Sequence, residues 1–220
     1  MIPHSKLILF DCDSTLSTIE GIDEFARIRG AEVFRQIEAM THAAMEGKLP
    51  VEAVFGKRLE IIKPTVKDLE YVGNRYLQTQ VDGVAACIKT MVALGWTPVI
   101  ISGGFRQAIE PLARVLGITC IEAVDLYFDK QGDYTGYDRE YPTTRSGGKP
   151  LVIERLKKEF NPTHIVMIGD GVSDLETQTT VDLFVGFGGV VSRERVKKEA
   201  RAFITDLNQL PEVIQKYLGE

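Results

Sequence analysis

Three apolar runs, Leu7 to Phe10, Pro98 to Ile101 and Ile165 to Ile168, each give way at once to a polar segment. The first is followed by Asp11-Cys12-Asp13-Ser14-Thr15 and the second by Ser102-Gly103-Gly104. The third is followed by Gly169-Asp170-Gly171-Val172-Ser173-Asp174. Continuous apolar runs of this length suit strands buried on both faces, as inside a parallel sheet. Leu183 to Val185 is a shorter run of the same kind. Ligands of open α/β sheets bind beyond the carboxyl ends of the strands. The pattern therefore points to a fold class and to the edge where chemistry is expected.

Helical patterns separate the runs. Phe105, Ile109, Leu112, Ala113 and Leu116 recur at helical spacing and stop at Gly117, and Val84, Ile88, Met91 and Val92 stop at Gly95. Val152, Leu156 and Phe160 follow Pro150, a good first-turn residue. Pro111 is a misfit within its stripe and predicts a kink or a late helix start. Alternating strands and helices give a doubly wound, Rossmann-like α/β core with a parallel sheet. From Ile19 to Leu77 the alternation breaks into several helices with no strand between them, and the next clear strand begins near Thr97. The expected organisation is a catalytic core of residues 1–18 and 78–220, with an all-helical insertion, 19–77, after the first strand. Ile121 to Tyr137 reads as a strand and a hairpin turning at Lys130-Gln131-Gly132-Asp133.

Composition removes several function classes. At 220 residues the chain is one large domain, or a core with a modest insertion. A net charge of −5 disfavours a nucleic-acid partner, which would require a local basic patch. The tight basic clusters, Lys157-Lys158 and Arg193 to Arg201, are interrupted by Glu and read as solvated helix faces. No apolar run approaches the roughly 20 residues of a membrane span, and the N-terminal run is too short for a signal peptide. Cys12, Cys87 and Cys120 have neither metal nor disulfide spacing, which suits a reducing cytoplasm. His4, His42 and His164 lack ligand spacing and read as surface or packing residues. Monomer and homodimer are both compatible with the sequence.

The acidic residues indicate the ion. Asp11, Asp13, Asp170 and Asp174 are hard oxygen donors, which select Mg²⁺. Brought together, four carboxylates repel one another unless a cation is present. A carboxylate can attack phosphorus, and a second one two residues on can serve as acid and then as base. Ser102 offers a hydroxyl, and Gly103 and Gly104 let backbone N–H groups come close at a helix start. Lys149 follows Ser146-Gly147-Gly148 and opens a helix, so its ammonium can reach the same edge. Taken singly, Ser-Gly-Gly is an ordinary loop, Gly-Asp-Gly an ordinary turn and Asp-Cys-Asp-Ser a strand end with a helix cap. Their joint order, one after each strand, is what favours phosphoryl transfer.

The set Asp11-Cys12-Asp13-Ser14-Thr15, Ser102-Gly103-Gly104, Lys149, and Gly169-Asp170-Gly171 with Asp174 resembles the four-motif signature of the haloacid dehalogenase-like phosphatases. Within them the resemblance is to the phosphoserine phosphatases. It is carried further by Glu20-Gly21-Ile22-Asp23-Glu24, Met40-Thr41, Ala44-Met45-Glu46-Gly47, Arg58-Leu59, Ser146-Gly147-Gly148-Lys149 and Gly186-Phe187-Gly188-Gly189. The resemblance implies Mg²⁺-dependent hydrolysis of O-phospho-L-serine through an aspartyl-phosphate, the last step of serine biosynthesis. Asp11 would be nucleophile and metal ligand. Asp13 would be the general acid/base and lend its backbone carbonyl to the metal. Asp170 would be a metal ligand supported by Asp174. Ser102, Gly103, Gly104 and Lys149 would hold the phosphate, Ser173 would face the substrate, and the helical insertion would be a cap over the site.

The same resemblance assigns the substrate carboxylate to Arg58, its ammonium to Glu20 and its carbon skeleton to Met45. Arg58 also stands out on its own, in the middle of the helical stripe Val51, Val54, Phe55, Leu59 and Ile62. A guanidinium on an apolar face needs an anion or a route to water; an ordinary arginine that snorkels or pairs with a core carboxylate is the plainer alternative. Glu20 by itself is an ordinary first-turn acid, and Met45 by itself is equally a cap-core residue. The family has an aromatic residue six positions after the methionine, where this chain has Val51, a departure expected to loosen the pocket. Arg193 could also reach the site but is given no role. Two other readings stay open: a phosphotransferase or phosphatase for a related small ester, such as phosphoserine-to-homoserine transfer, and a non-catalytic phospho-ligand sensor.

Overall fold

The computed structural model describes residues 6–219, so His4 lies outside the described residues. β1 (Lys6–Phe10) is followed by four helices, α1 (Gly21–Ile28), α2 (Ala31–Met45), α3 (Val51–Ile62) and α4 (Val66–Gln78). The chain returns through α5 (Val84–Ala93) to β2 (Trp96–Phe105), then α6 (Arg106–Leu116), β3 (Cys120–Val124) and a hairpin of β4 (Leu126–Phe128) and β5 (Tyr134–Tyr137). α7 (Gly148–Phe160), β6 (His164–Gly169), α8 (Val172–Leu175), β7 (Leu183–Phe187), α9 (Glu194–Glu199), β8 (Ala202–Ile204) and α10 (Leu210–Leu218) complete it.

The six long-range strands form one sheet in the order β3-β2-β1-β6-β7-β8, with every pairing parallel. Strand order reverses between β1 and β6, the position where such sheets open a crevice at their carboxyl edge. Alternation along β1 explains the layers. Ile8 and Phe10 pack with α5 and α6 through Ile88, Ile109 and Leu112. Leu7 and Leu9 pack on the opposite face with Val152, Ile153 and Leu156 of α7. Both faces are dry, so the strands read as continuous apolar runs; each fully buried aliphatic side chain contributes roughly 1.5–3 kcal/mol.

α1 to α4 lie between β1 and β2 in the chain and contain no strand of the sheet. Their apolar faces join the first core layer, with Phe105 at the end of β2 meeting Phe25 and Phe55 at ring-centroid distances of 5.7 and 6.1 Å. The two connections to these helices run side by side, with the Thr18 N–H donating to Thr79 O (2.8 Å) and the Val81 N–H to Leu16 O (3.0 Å). The hairpin turns at Asp129 to Asp133 and leans on the same helices, where the Val66 N–H donates to Gly132 O. No helix among the described residues is long and apolar enough to cross a membrane.

Several expectations are corrected. β2 runs on through Ser102-Gly103-Gly104 to Phe105, so Phe105 is a strand residue and the N-cap of α6, and the two glycines lie at the strand end immediately before that helix. Val92 is 52 % exposed and lies outside the core stripe of α5. α6 starts at Arg106 and continues past Pro111, so there is no late start. The proline ring sits against α4, where a Cβ on Gly73 would lie 3.2 Å from Pro111 Cγ.

Candidate active site

The β1 ladder extends one residue beyond the strand, because the Asp11 N–H donates to Ile168 O at 2.9 Å. That contact sets the Asp11 carboxylate at the crevice between β1 and β6. Asp170 follows β6 directly, and Asp174 lies on α8 one turn later. Asp11, Asp170 and Asp174 each offer an oxygen within 4.8 Å of the others, and all three are buried. Lys149 Nζ stands 3.0 Å from Asp11 Oδ1 and 2.5 Å from Asp174 Oδ1. The Gly171 N–H holds the other Asp174 oxygen at 2.9 Å, and Arg193 Nε donates to Asp170 Oδ2 at 2.9 Å. Glycine is required at 169, since a Cβ there would lie 2.2 Å from Asp174 Cγ.

Burial dominates the electrostatics of this cluster. Burial, then the charge of Glu20, pushes Asp170 up to about 7. Burial, then the charge of Asp11, pushes Asp174 up to about 8. Burial opposes the charge on Lys149, but Asp11 and Asp174 outweigh it and the ammonium is raised. Even with Lys149 and Arg193 present, Asp170 and Asp174 stay above the usual carboxylate range. The donor set is oxygen only, which fits a hard divalent cation. Asp174, expected in support, is as close to this cluster as Asp11 and Asp170 are.

The Asp13 carboxylate lies outside that group and turns toward the helices. Its Oδ1 accepts the Tyr76 hydroxyl and the Gly21 N–H, the latter at 3.2 Å. Burial, then the charge of Asp11, pushes Asp13 up to about 7. Ser14 adopts a left-handed φ of 52° and donates its hydroxyl to Glu20 Oε1 at 2.8 Å. Glu20 Oε2 is buried without a hydrogen-bond partner. Burial, then the charge of Asp13, raises the Glu20 carboxyl. Glu20 flanks α1 without bonding the helix backbone, so its side chain serves the cleft rather than a cap.

Ser102-Gly103-Gly104 reaches the cleft by leaving the ladder. Ile101 pairs with Glu122 and Phe105 with Val124, so three residues of β2 bulge opposite Ala123 alone. Ser102 Oγ accepts the Gly104 N–H at 2.9 Å, which leaves the hydroxyl proton for another acceptor and uses up the Gly104 N–H. Lys149 is fixed by Gly148, where a Cβ would lie 1.9 Å from Pro142 O.

A single cleft, about 680 Å³ counting its open mouth, joins these groups to the helices. Asp11, Asp13, Ser102, Gly103, Gly104, Lys149 and Ser173 line its core side, and Glu20, Met45, Val51, Phe55 and Arg58 line the other. Every residue given a catalytic, substrate or metal role from the sequence lines it except Asp170 and Asp174, which group with Asp11 in the carboxylate cluster. A Cβ on Gly171 would lie 3.3 Å from Met45 Sδ, so the methionine reaches across to the third motif. Arg58 is 6 % exposed and has no carboxylate within ion-pair distance among the described residues. Its NH1 donates to Thr41 Oγ1 at 3.0 Å, and that hydroxyl donates to Asp23 Oδ1 at 2.7 Å. Its Nε is buried without a partner, and burial lowers the guanidinium from its usual range. Arg58 is thus held inside the cleft and does not snorkel to solvent.

Sequence reasoning missed four supporting residues. Arg193 is 7 % exposed, so its placement on a solvated helix face is corrected: it precedes α9 in extended backbone and turns inward to Asp170, 3.8 Å from Glu20. Tyr76 hides in the apolar stripe of α4, where a phenol looks like any core aromatic. Asp23 and Thr41 stood in stretches already singled out, but their bond joins residues 18 positions apart and has no local signal. His42 and His164 do not line the cleft.

The family model for haloacid dehalogenase-like hydrolases matches residues 5–177. The human phosphoserine phosphatase is 37 % identical over 96 % of this chain and 97 % of its own. That of Methanocaldococcus jannaschii is 33 % identical over 85 % and 87 %. A solved phospho-aspartyl intermediate analogue of phosphoserine phosphatase superposes with a TM-score of 0.82 at 28 % identity, covering 95 % of this chain and 98 % of that one.

Proposed function

The chain belongs to the haloacid dehalogenase-like hydrolases and, within them, to the phosphoserine phosphatases; on that premise we propose that it hydrolyses O-phospho-L-serine to L-serine and phosphate, with Mg²⁺, through an aspartyl-phosphate on Asp11. One observation carries the reading. A single cleft holds a carboxylate–lysine floor on its core side and, from the helical side, an arginine and a glutamate each with an unpartnered buried atom. Phosphate, carboxylate and ammonium are the three charged groups of phosphoserine, and each has a complement there.

Asp11 Oδ1 is engaged by Lys149 and by the Cys12 N–H (2.8 Å), which leaves Oδ2 to attack phosphorus. Lys149 and the Ser102 hydroxyl hold phosphoryl oxygens. Asp13, raised to about 7, keeps a proton near neutral pH and gives it to the serine alkoxide as the P–O bond breaks. Left as a carboxylate, it then takes a proton from the water that cleaves the acyl-phosphate. Asp11, Asp170 and Asp174 would hold Mg²⁺ with the Asp13 backbone carbonyl, and the ion would supply charge neutralisation at the phosphate. Arg58 takes the substrate carboxylate, Glu20 the ammonium and Met45 the carbon skeleton, while Ser173 faces the phosphate end. Residues 19–77 act as the cap.

The place we assign it is the last step of serine biosynthesis in a reducing cytosol, where Cys12, Cys87 and Cys120 stay free. Rapid acid quench during turnover of radiolabelled phosphoserine should trap a labelled carboxyl phosphate on the wild type and none on Asp11→Asn. Turnover without any trapped label, or label on the Asn variant, would remove Asp11 from the nucleophile's role.

A further inference from the structure

α3 has no cap of its own. Pro50 stands at its N-cap position and offers no side-chain hydrogen bond, so the first N–H groups need an acceptor from elsewhere. Ser146, in the segment leading into α7, supplies one: its Oγ accepts the Val51 N–H at 3.3 Å. Glu52 completes the pattern from the helix side. Its Oε2 accepts the Ser146 N–H and the Ser146 hydroxyl, each at 3.0 Å. The Ser146 N–H is the main reason that Glu52 is held below the usual carboxylate range. This reciprocal exchange is that of a capping box, with the serine and the glutamate 94 residues apart in the chain.

The partners belong to opposite walls of the cleft. α3 presents Val51, Phe55 and Arg58 to it, and Ser146 stands just before the Gly147-Gly148-Lys149 turn. Asp11, Asp13, Arg58 and Lys149 are each less than a tenth exposed. Drawing the walls apart would widen access to these groups and would break the Ser146 contacts.

We infer that Ser146 and Glu52 are positioning residues that cap α3 from across the cleft only when its walls are together, and so hold Arg58 in register with Lys149. The inference rests on the reading of Arg58 as the carboxylate's partner. Losing a helix cap should lower the ratio of the closed, aligned state to the open one about threefold to tenfold.

The test combines Ser146→Ala, Glu52→Ala, the double variant and Ser146→Thr. KM for O-phosphoserine should rise about threefold to tenfold in each single variant. The double variant should be no worse than about twofold beyond the poorer single one, because both residues serve one contact. Ser146→Thr should restore the wild-type KM, and KM for para-nitrophenyl phosphate, which has no carboxylate, should stay within about twofold. Unchanged KM in both single variants, additive losses, or an equal rise on the aryl ester would overturn the inference. Hydrogen exchange across residues 50–55 reads the contact without substrate and should quicken about fivefold in Ser146→Ala. Unchanged exchange there sinks the clasp whatever the substrate proves to be. Faster exchange in a protein whose wild type does not turn over phosphoserine supports the clasp and removes the substrate reading instead.

Discussion

The two sides of the cleft are built on opposite principles. On the core side the charged groups are partnered: Lys149 with Asp11 and Asp174, Arg193 with Asp170. Glycine backbone with no room for a Cβ fixes that arrangement at Gly148 and Gly169. On the helical side, Arg58 has one hydrogen bond to a hydroxyl and a vacant Nε, and Glu20 has a vacant Oε2. The core side thus pairs its charges with one another, and the helical side leaves one buried cationic and one buried anionic atom without a hydrogen-bond partner. The difference separates how the molecule would react from what it would accept.

The sharpest division comes from Asp11→Asn, which should lower kcat on the order of 10⁴-fold or more for every phosphate ester. Steady-state kinetics on phosphoserine and on an aryl phosphate checks this, and substantial residual turnover would break the division. Next, Arg58→Ala should raise KM for phosphoserine roughly tenfold to a hundredfold, the worth of a buried charge-assisted bond. The aryl phosphate should be much less affected, and equal losses on both would merge the two sides.

Asp23 gives a pH signature of the helical side alone. Burial lifts its carboxyl from 3.8 to about 6. The folded state then holds the proton more tightly than the unfolded chain, so stability is full below the unfolded pKa and falls as pH rises through about 6. Asp23→Asn, which can still accept the Thr41 hydroxyl, has no such loss. Urea unfolding should show the variant gaining on the wild type by about 1–3 kcal/mol between pH 4 and pH 7, and a constant difference would contradict the assignment. The smallest effect belongs to Thr41→Val, which keeps the shape but removes the hydroxyl that orients Arg58. KM for phosphoserine should rise about threefold to tenfold, with the aryl phosphate within about twofold.

Legibility followed the same divide. The floor could be read because its residues lie at or just after the carboxyl ends of buried strands: Asp11 after β1, Ser102 near the end of β2, Asp170 after β6. The bulge that lifts Ser102 out of the ladder could not be read, since it depends on pairing with β3. Arg58 was legible as a charge on an apolar stripe. Tyr76 and Arg193 were not, because a phenol suits a core and an arginine among exposed glutamates suits a surface; only tertiary contacts separate these cases. β8, with three residues, was too short to carry a pattern.

Phosphate release from phosphoserine, phosphothreonine, phosphoethanolamine and a sugar phosphate, each with Mg²⁺ and with chelator, tests the central claim most directly. The account predicts a strong preference for phosphoserine, with phosphoethanolamine poor for want of a carboxylate and all activity lost in chelator. Chelator-sensitive turnover that favours a sugar phosphate, or favours phosphoethanolamine as much as phosphoserine, would contradict the reading of Arg58 and Glu20.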